Sequence, residues 1–255
     1  MTPLDHQAAA LALEMTRIGG AILVAPMPTQ NAPPKVRAAI ALMLAFVAHG
    51  VSAASPPLFD RWLRVVLAAP GELLLGVAMG MTLRIAISSV EIAADTIGPM
   101  MGFGTGALFD PKMQTSESSL GKLMRLFAML LMVITGVHRM LIGALIASFR
   151  VVPVGAVSSP EATALDLVTM TGDAIGFGLR LALPVCAVLL LGQAALAFVS
   201  RASPQMQIFS IGFAVMAVLG TFALMASLTD MGSAITGELG RVGTWLEIVI
   251  DTARG

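Results

Sequence analysis

Leu181-Ala-Leu-Pro-Val-Cys-Ala-Val-Leu-Leu-Leu-Gly-Gln-Ala-Ala-Leu-Ala-Phe-Val-Ser200 contains no charged residue, and beyond Arg201 a second uncharged run extends from Ala202 to Thr229. A helix that crosses a bilayer needs about 20 mostly apolar residues, and each run is long enough. The link Arg201-Ala-Ser-Pro204 is short, so the two spans are expected to fold back as an antiparallel hairpin. Pro184 lies inside the first span, where a missing amide donor predicts a kink.

Working outward, further uncharged runs occupy 18–34 and 38–59, and charge-interrupted apolar stretches lie near 65–94 and 123–149. These give about six hydrophobic segments, at 8–28, 36–53, 66–96, 123–149, 170–200 and 207–229. The breaks between them have local causes. Pro26, Pro28, Pro33 and Pro34 remove backbone donors before Lys35 and Arg37. Ser55-Pro56-Pro57 and Pro70-Gly71 bound a short charged stretch, Pro99 to Gly121 is rich in glycine, and Pro153 to Pro160 closes the fourth segment. After Asp230, Met231, Ile235, Leu239, Val242, Leu246 and Val249 recur at helical steps. This tail reads as an amphipathic helix that lies on a membrane surface or packs on a partner helix. The expected fold is all-α: a polytopic membrane protein of helical hairpins with a C-terminal amphipathic helix.

Composition agrees. Hydrophobic residues make up 57% of the chain and charged ones only 12%, with a mean hydropathy of +0.89. Soluble domains carry roughly 25% charged residues, so the charge needed to cover a water-exposed surface is missing. Fifteen basic and fifteen acidic residues cancel, which argues against a nucleic-acid partner. Cys186 is the single cysteine and cannot form an internal disulfide. No Lys or Arg precedes Arg17, and Asp5 and Glu14 stand in its place, so the first segment is expected to stay in the mature chain. Tyrosine is absent and only Trp62 and Trp245 are present, leaving thin aromatic belts. Lys and Arg counts in alternating loops are nearly equal and do not assign an orientation.

Nothing in the sequence resembles an active site. There is no His-Glu-x-x-His, nucleophile elbow, phosphate loop or dinucleotide fingerprint, so no catalysis, metal or cofactor is expected. His49 and His138 offer only weak support for a haem between segments. Charges inside the apolar segments are more informative: Glu14 and Arg17, Glu72, Arg84 and Glu91, Arg125 and Arg139, and Arg180. Such groups pair, face a polar cavity or lie near a helix end. Glu14 and Arg17 are three residues apart and can pair on one helix face. These charges fit either a polar path for a small solute or ion, or contacts with partner subunits. No convincing internal repeat of the transporter kind is visible. Gly76-x-x-x-Gly80 and Gly172-x-x-x-Gly176 carry the spacing that lets helix backbones approach closely. The stretch Met100-Met-Gly-Phe-Gly-Thr-Gly-Ala-Leu-Phe-Asp-Pro111 combines three glycines with apolar side chains, which suits a re-entrant turn or a deformable apolar plug equally.

Five motifs in order carry a family resemblance. They are Arg17-Ile-Gly-Gly-Ala-Ile-Leu-Val-Ala-Pro26, Glu72-Leu-Leu-Leu-Gly76 through Gly80, Gly102 to Phe109-Asp110-Pro111, Leu183-Pro184-Val185, and Arg201-Ala-Ser-Pro204-Gln205-Met-Gln-Ile-Phe209-Ser-Ile-Gly212-Phe213. Together they resemble the FliR component of the flagellar type III export gate, which is related to the SctT component of injectisomes. The resemblance covers about 7–229. Gly212-Phe213 favours the flagellar branch, while Ala214 and Gln207 stand where the family often has proline and asparagine.

What the resemblance implies is concrete. Such a subunit assembles with FliP-type and FliQ-type subunits and an FlhB-type switch protein in the bacterial inner membrane, at the flagellar basal body, in contact with lipid. Unfolded flagellar proteins pass through the resulting pore. Residues 1–164 would form a FliP-like part with a central loop at about 99–121. Residues 165–255 would form a FliQ-like hairpin, at about 170–229, with the amphipathic tail. By position, Gly102, Phe103, Gly104, Thr105, Gly106, Ala107, Leu108, Phe109, Asp110 and Pro111 would be the plug. Arg17, Glu72, Arg84, Glu91, Arg201, Pro204, Gln205, Gly212 and Phe213 are expected at subunit contacts.

Overall fold

The computed structural model describes residues 3–26, 33–51, 62–103, 119–157, 159–202 and 208–254. Among the described residues the helix is the only regular element, with no strand. The helices are α1 (Pro3–Val24), α2 (Pro34–Val51), α3 (Trp62–Met100), α4 (Ser119–Thr135), α5 (Val137–Val151), α6 (Pro160–Ala202) and α7 (Ile208–Arg254). Proline opens α1, α2 and α6, at the first helical position where its missing donor is harmless. Each of the six expected segments contains a helix among its described residues, and Pro184 does not interrupt α6.

Two features differ from the sequence expectation. The fourth segment is two helices, α4 and α5, bent by 63°. Gly136 between them has φ of 75°, a left-handed conformation that glycine adopts freely, and its carbonyl accepts the amides of Arg139 and Met140 in the first turn of α5. The C-terminal amphipathic stretch is not a separate element. It continues the 47-residue α7 without a break at Asp230. Its apolar face is covered by the chain itself: Met231, Ile235, Leu239, Val242, Leu246 and Val249 are each at most 2% exposed.

Among the described residues, four helices are long and apolar enough to cross a membrane, or five spans if the bent pair counts as one. At 1.5 Å per residue, the 43 residues of α6 extend about 65 Å and the 47 of α7 about 70 Å. A hydrocarbon core is about 30 Å thick.

The chain divides into two compact units. In the unit formed by residues 1–86, 135–172 and 239–255, a core of Leu13, Ile18, Ile22, Ala41, Ala45, Ala48, Val65, Phe149 and Val154 joins α1, α2, α3 and α5. Arg37 of α2 caps α1 by donating from Nη2 to the Ile22 and Leu23 carbonyls, both at 3.0 Å. In the unit formed by residues 87–134 and 173–238, α6 and α7 form the antiparallel hairpin expected from the sequence. Gly192 faces Leu219 and Met216, and Gly212 faces Leu196.

Candidate functional site

Arg17 sits in the middle of α1 and is completely buried. A guanidinium cannot discharge, so it must be satisfied in place, and every arm is. Nε donates to Glu72 Oε2 at 2.6 Å and Nη2 to Glu72 Oε1 at 3.1 Å. Nη1 donates to Ser148 Oγ at 3.1 Å, and both terminal nitrogens reach the Val152 carbonyl at 3.1 Å. The guanidinium carbon lies 4.3 Å from the centre of the Phe149 ring, within cation–π range. Glu72 is also fully buried, and its Oε1 accepts the Gly155 amide at 2.7 Å. Val152 is the C-cap of α5. The ion pair between α1 and α3 therefore completes the end of a third helix and holds the turn that follows it.

The α1 and α3 backbones come close enough for this pairing because glycines line the contact. A methyl group on Gly76 would land on the Arg17 carbonyl. One on Gly80 would lie 2.5 Å from the Ala21 carbonyl oxygen, and one on Gly20 2.8 Å from that of Leu73. The first Gly-x-x-x-Gly spacing is thus a helix–helix seam inside the chain. The second is not: nothing lies within 4 Å of a methyl built on Gly172 or Gly176.

The pairing of Glu14 with Arg17 suggested by their spacing does not form. Glu72 presents both carboxylate oxygens to the arginine fork, a two-bond geometry stronger than a single contact. Glu14, 1% exposed, turns instead to α2, with its oxygens 3.2 and 3.3 Å from His49 Nδ1. His49, weighed as a haem ligand, is engaged there. Among the described residues no group of three His, Cys, Asp or Glu is placed to hold a metal ion. Glu91 pairs with Arg125 Nε across α3 and α4. Ser148, Phe149, the Val152 carbonyl and the Gly155 amide escaped the sequence reading. Backbone groups and a serine at a helix end carry no spacing signal for a partner 131 residues away.

Gly102 and Phe103 are the described part of the proposed plug, with Gly104 to Pro111 outside the described residues. Gly102 has φ of 87°, and its α-carbon abuts the Phe213 ring so closely that a β-carbon would clash with it. Phe103 and Met101 on one side of the 104–118 stretch, and Leu120, Leu123 and Met124 on the other, line an apolar cavity of about 350 Å³. Leu224, Met225 and Leu228 of α7 complete its wall. Among the other expected contact residues, Arg84 and Arg201 are exposed, and Gly212 and Phe213 are half-buried. Pro204 and Gln205 lie outside the described residues.

Comparison with known proteins agrees with this architecture. The sequence model of the family described as bacterial export proteins, family 1, matches residues 8–242. The flagellar biosynthetic protein FliR of Escherichia coli K12 is 32% identical over 223 residues, covering 85% of this chain and 83% of the relative. That of Caulobacter vibrioides is 26% identical over 228 residues, 88% of this chain and 90% of the relative. FliR of Bacillus subtilis is 26% identical over 186 residues, 72% of this chain and 71% of the relative. With its helices built to cross a membrane and its match running over nearly the whole length, the chain belongs to the FliR family of bacterial flagellar export proteins.

Proposed function

We propose that this chain is a pore-forming structural subunit of the flagellar type III protein export gate in the bacterial inner membrane. It assembles with FliP-type and FliQ-type subunits, meets an FlhB-type switch protein, and passes exported unfolded proteins. Its first part, 1–164, takes the FliP-like role and its last part, 165–255, the FliQ-like one. Gly102 to Pro111 serve as the plug.

The observation that carries the assembly is the uncovered length of α6. Leu165, Val168, Ile175, Leu179, Leu183, Leu190, Leu191, Phe198 and Val199 are all exposed. From Leu165 to Val199 this surface runs about 51 Å at 1.5 Å per residue. To lie wholly within a 30 Å hydrocarbon core, α6 would have to tilt by about 54°, beyond the roughly 0–40° that membrane helices show. Lipid alone does not cover such a face, whereas neighbouring helices do. The buried α3 supports the same view by contrast: 67% of its spanning window is covered inside the chain, against 22% for α6 and 17% for α7. A solute path along the intramembrane charges is disfavoured, because Arg17 and Glu72 are sealed and committed to each other.

Gentle detergent extraction followed by mass measurement tests the proposal. A complex of unlike subunits far above 26.4 kDa is the expected result. A monomer or homodimer under conditions that preserve export would overturn it.

A further inference from the structure

We infer that Arg84 is an ion-pair site for a carboxylate carried by a membrane helix of a neighbouring subunit. The inference rests on the assembly proposed above and names the chemistry of one of its contacts. The structure separates Arg84 from the other charges on the early spans. Arg17 is taken by Glu72, Glu14 by His49, and Glu91 by Arg125. Arg84 has no hydrogen-bond or ion-pair partner among the described residues and is exposed.

Its surroundings sharpen the point. Leu83, Ile85, Ala86 and Ile87 are each at most 5% exposed, so the chain packs closely on both sides and leaves this one guanidinium facing outward. Any stretch of 20 residues within the spanning window Val65–Met100 contains Arg84. Wherever the hydrocarbon core falls on this helix, the cation falls with it. Arginine cannot escape by losing its proton, and an unpaired charge away from a helix end, as Arg84 is within Trp62–Met100, persists at membrane depth only with a partner or a polar cavity. With the chain's own nearby acids already engaged, charge complementarity calls for an acid from outside. A planar two-oxygen group matches the fork of donors best, and a glutamate or aspartate on an adjacent helix supplies it at that depth.

The test is co-expression with the partner subunits, followed by native mass measurement of the purified assembly for wild type, Arg84→Lys, Arg84→Gln and Arg84→Glu. Arg84→Lys should keep most of the complex. Arg84→Gln should lower its yield several-fold, and Arg84→Glu at least tenfold. Because the side chain is exposed, the isolated subunit should melt in detergent at an unchanged temperature in all three, which separates lost assembly from lost folding. Motile revertants of Arg84→Glu should carry an acidic-to-basic change in a partner's membrane helix. Wild-type yield with Arg84→Glu would overturn the inference. So would an intact Arg84→Glu complex that has lost bound anionic lipid, which assigns the site to a headgroup phosphate. An intact complex that no longer exports overturns it as well, placing Arg84 on a water-filled path. A wild-type chain that forms no mixed complex would instead sink the assembly on which the inference rests.

Discussion

Arg17 on α1 and Glu72 on α3 meet as a two-bond fork, Nε to Oε2 at 2.6 Å and Nη2 to Oε1 at 3.1 Å, with neither side chain reaching solvent. Removing one member of a buried pair leaves the other charge uncompensated, at a cost of about 3–5 kcal/mol. Glu72→Ala and Arg17→Ala should each destabilise the chain by about that amount. The double substitution Arg17→Met with Glu72→Leu should cost less than the sum of the single losses. Denaturant unfolding of the purified chain in mild detergent reads all of these. Strict additivity would show that the fork is not an energetic unit.

The glycine seam makes a contrasting pair of predictions. Gly76→Ala and Gly80→Ala must push α1 and α3 apart, which by the usual cost of overpacking amounts to about 1–3 kcal/mol or more, with Gly76 the worse. Gly172→Ala and Gly176→Ala meet open space and should leave the isolated chain unchanged or stabilise it by up to about 1 kcal/mol through helix propensity. Melting temperatures of the four variants in detergent check the ranking.

At Gly102 two penalties are superimposed, a left-handed backbone and the Phe213 ring. Gly102→Ala should cost about 1–3 kcal/mol, in the range of such backbone strain. Adding Phe213→Ala should relieve the clash but not the strain, so rescue should be partial. A double-mutant cycle on thermal stability measures it. Full rescue would show that only the ring opposes a side chain there.

Shortening the Gly104–Phe109 stretch tests the plug. Cells expressing that variant with its partners should become permeable to small ions while the assembly still forms. Unchanged permeability would remove the plug assignment and leave the cavity beside Phe103 as ordinary apolar packing.

How legible was this molecule in its sequence? Bilayer-length runs such as 181–200 announce themselves, because the membrane sets their length by simple arithmetic, and the six helical segments were readable for that reason. The bend at Gly136 was not. It lies in an apolar stretch with no proline, and a lone glycine within a helical pattern usually passes without a break. Asp230 suggested a boundary where α7 simply continues, since a charge on a helix surface needs no break in the backbone. Gly76 and Gly172 show the limit of a motif. The same spacing permits close approach in both places, but only the first has a helix of this chain against it. The fork at Arg17 was invisible for a related reason. Spacing offered Glu14, three residues away, whereas the better geometry came from Glu72, 55 residues on.

Because the Val152 carbonyl and the Gly155 amide are built into that fork, the contact between α1 and α3 is complete only with residues that come after both helices in the chain. When α1 and α3 have left the ribosome, Arg17 and Glu72 can find each other but still lack the groups that satisfy their remaining valences. Those groups arrive only with residues 148–155. The beginning of the protein is thus locked by a segment that lies about 80 residues beyond Glu72 in the chain.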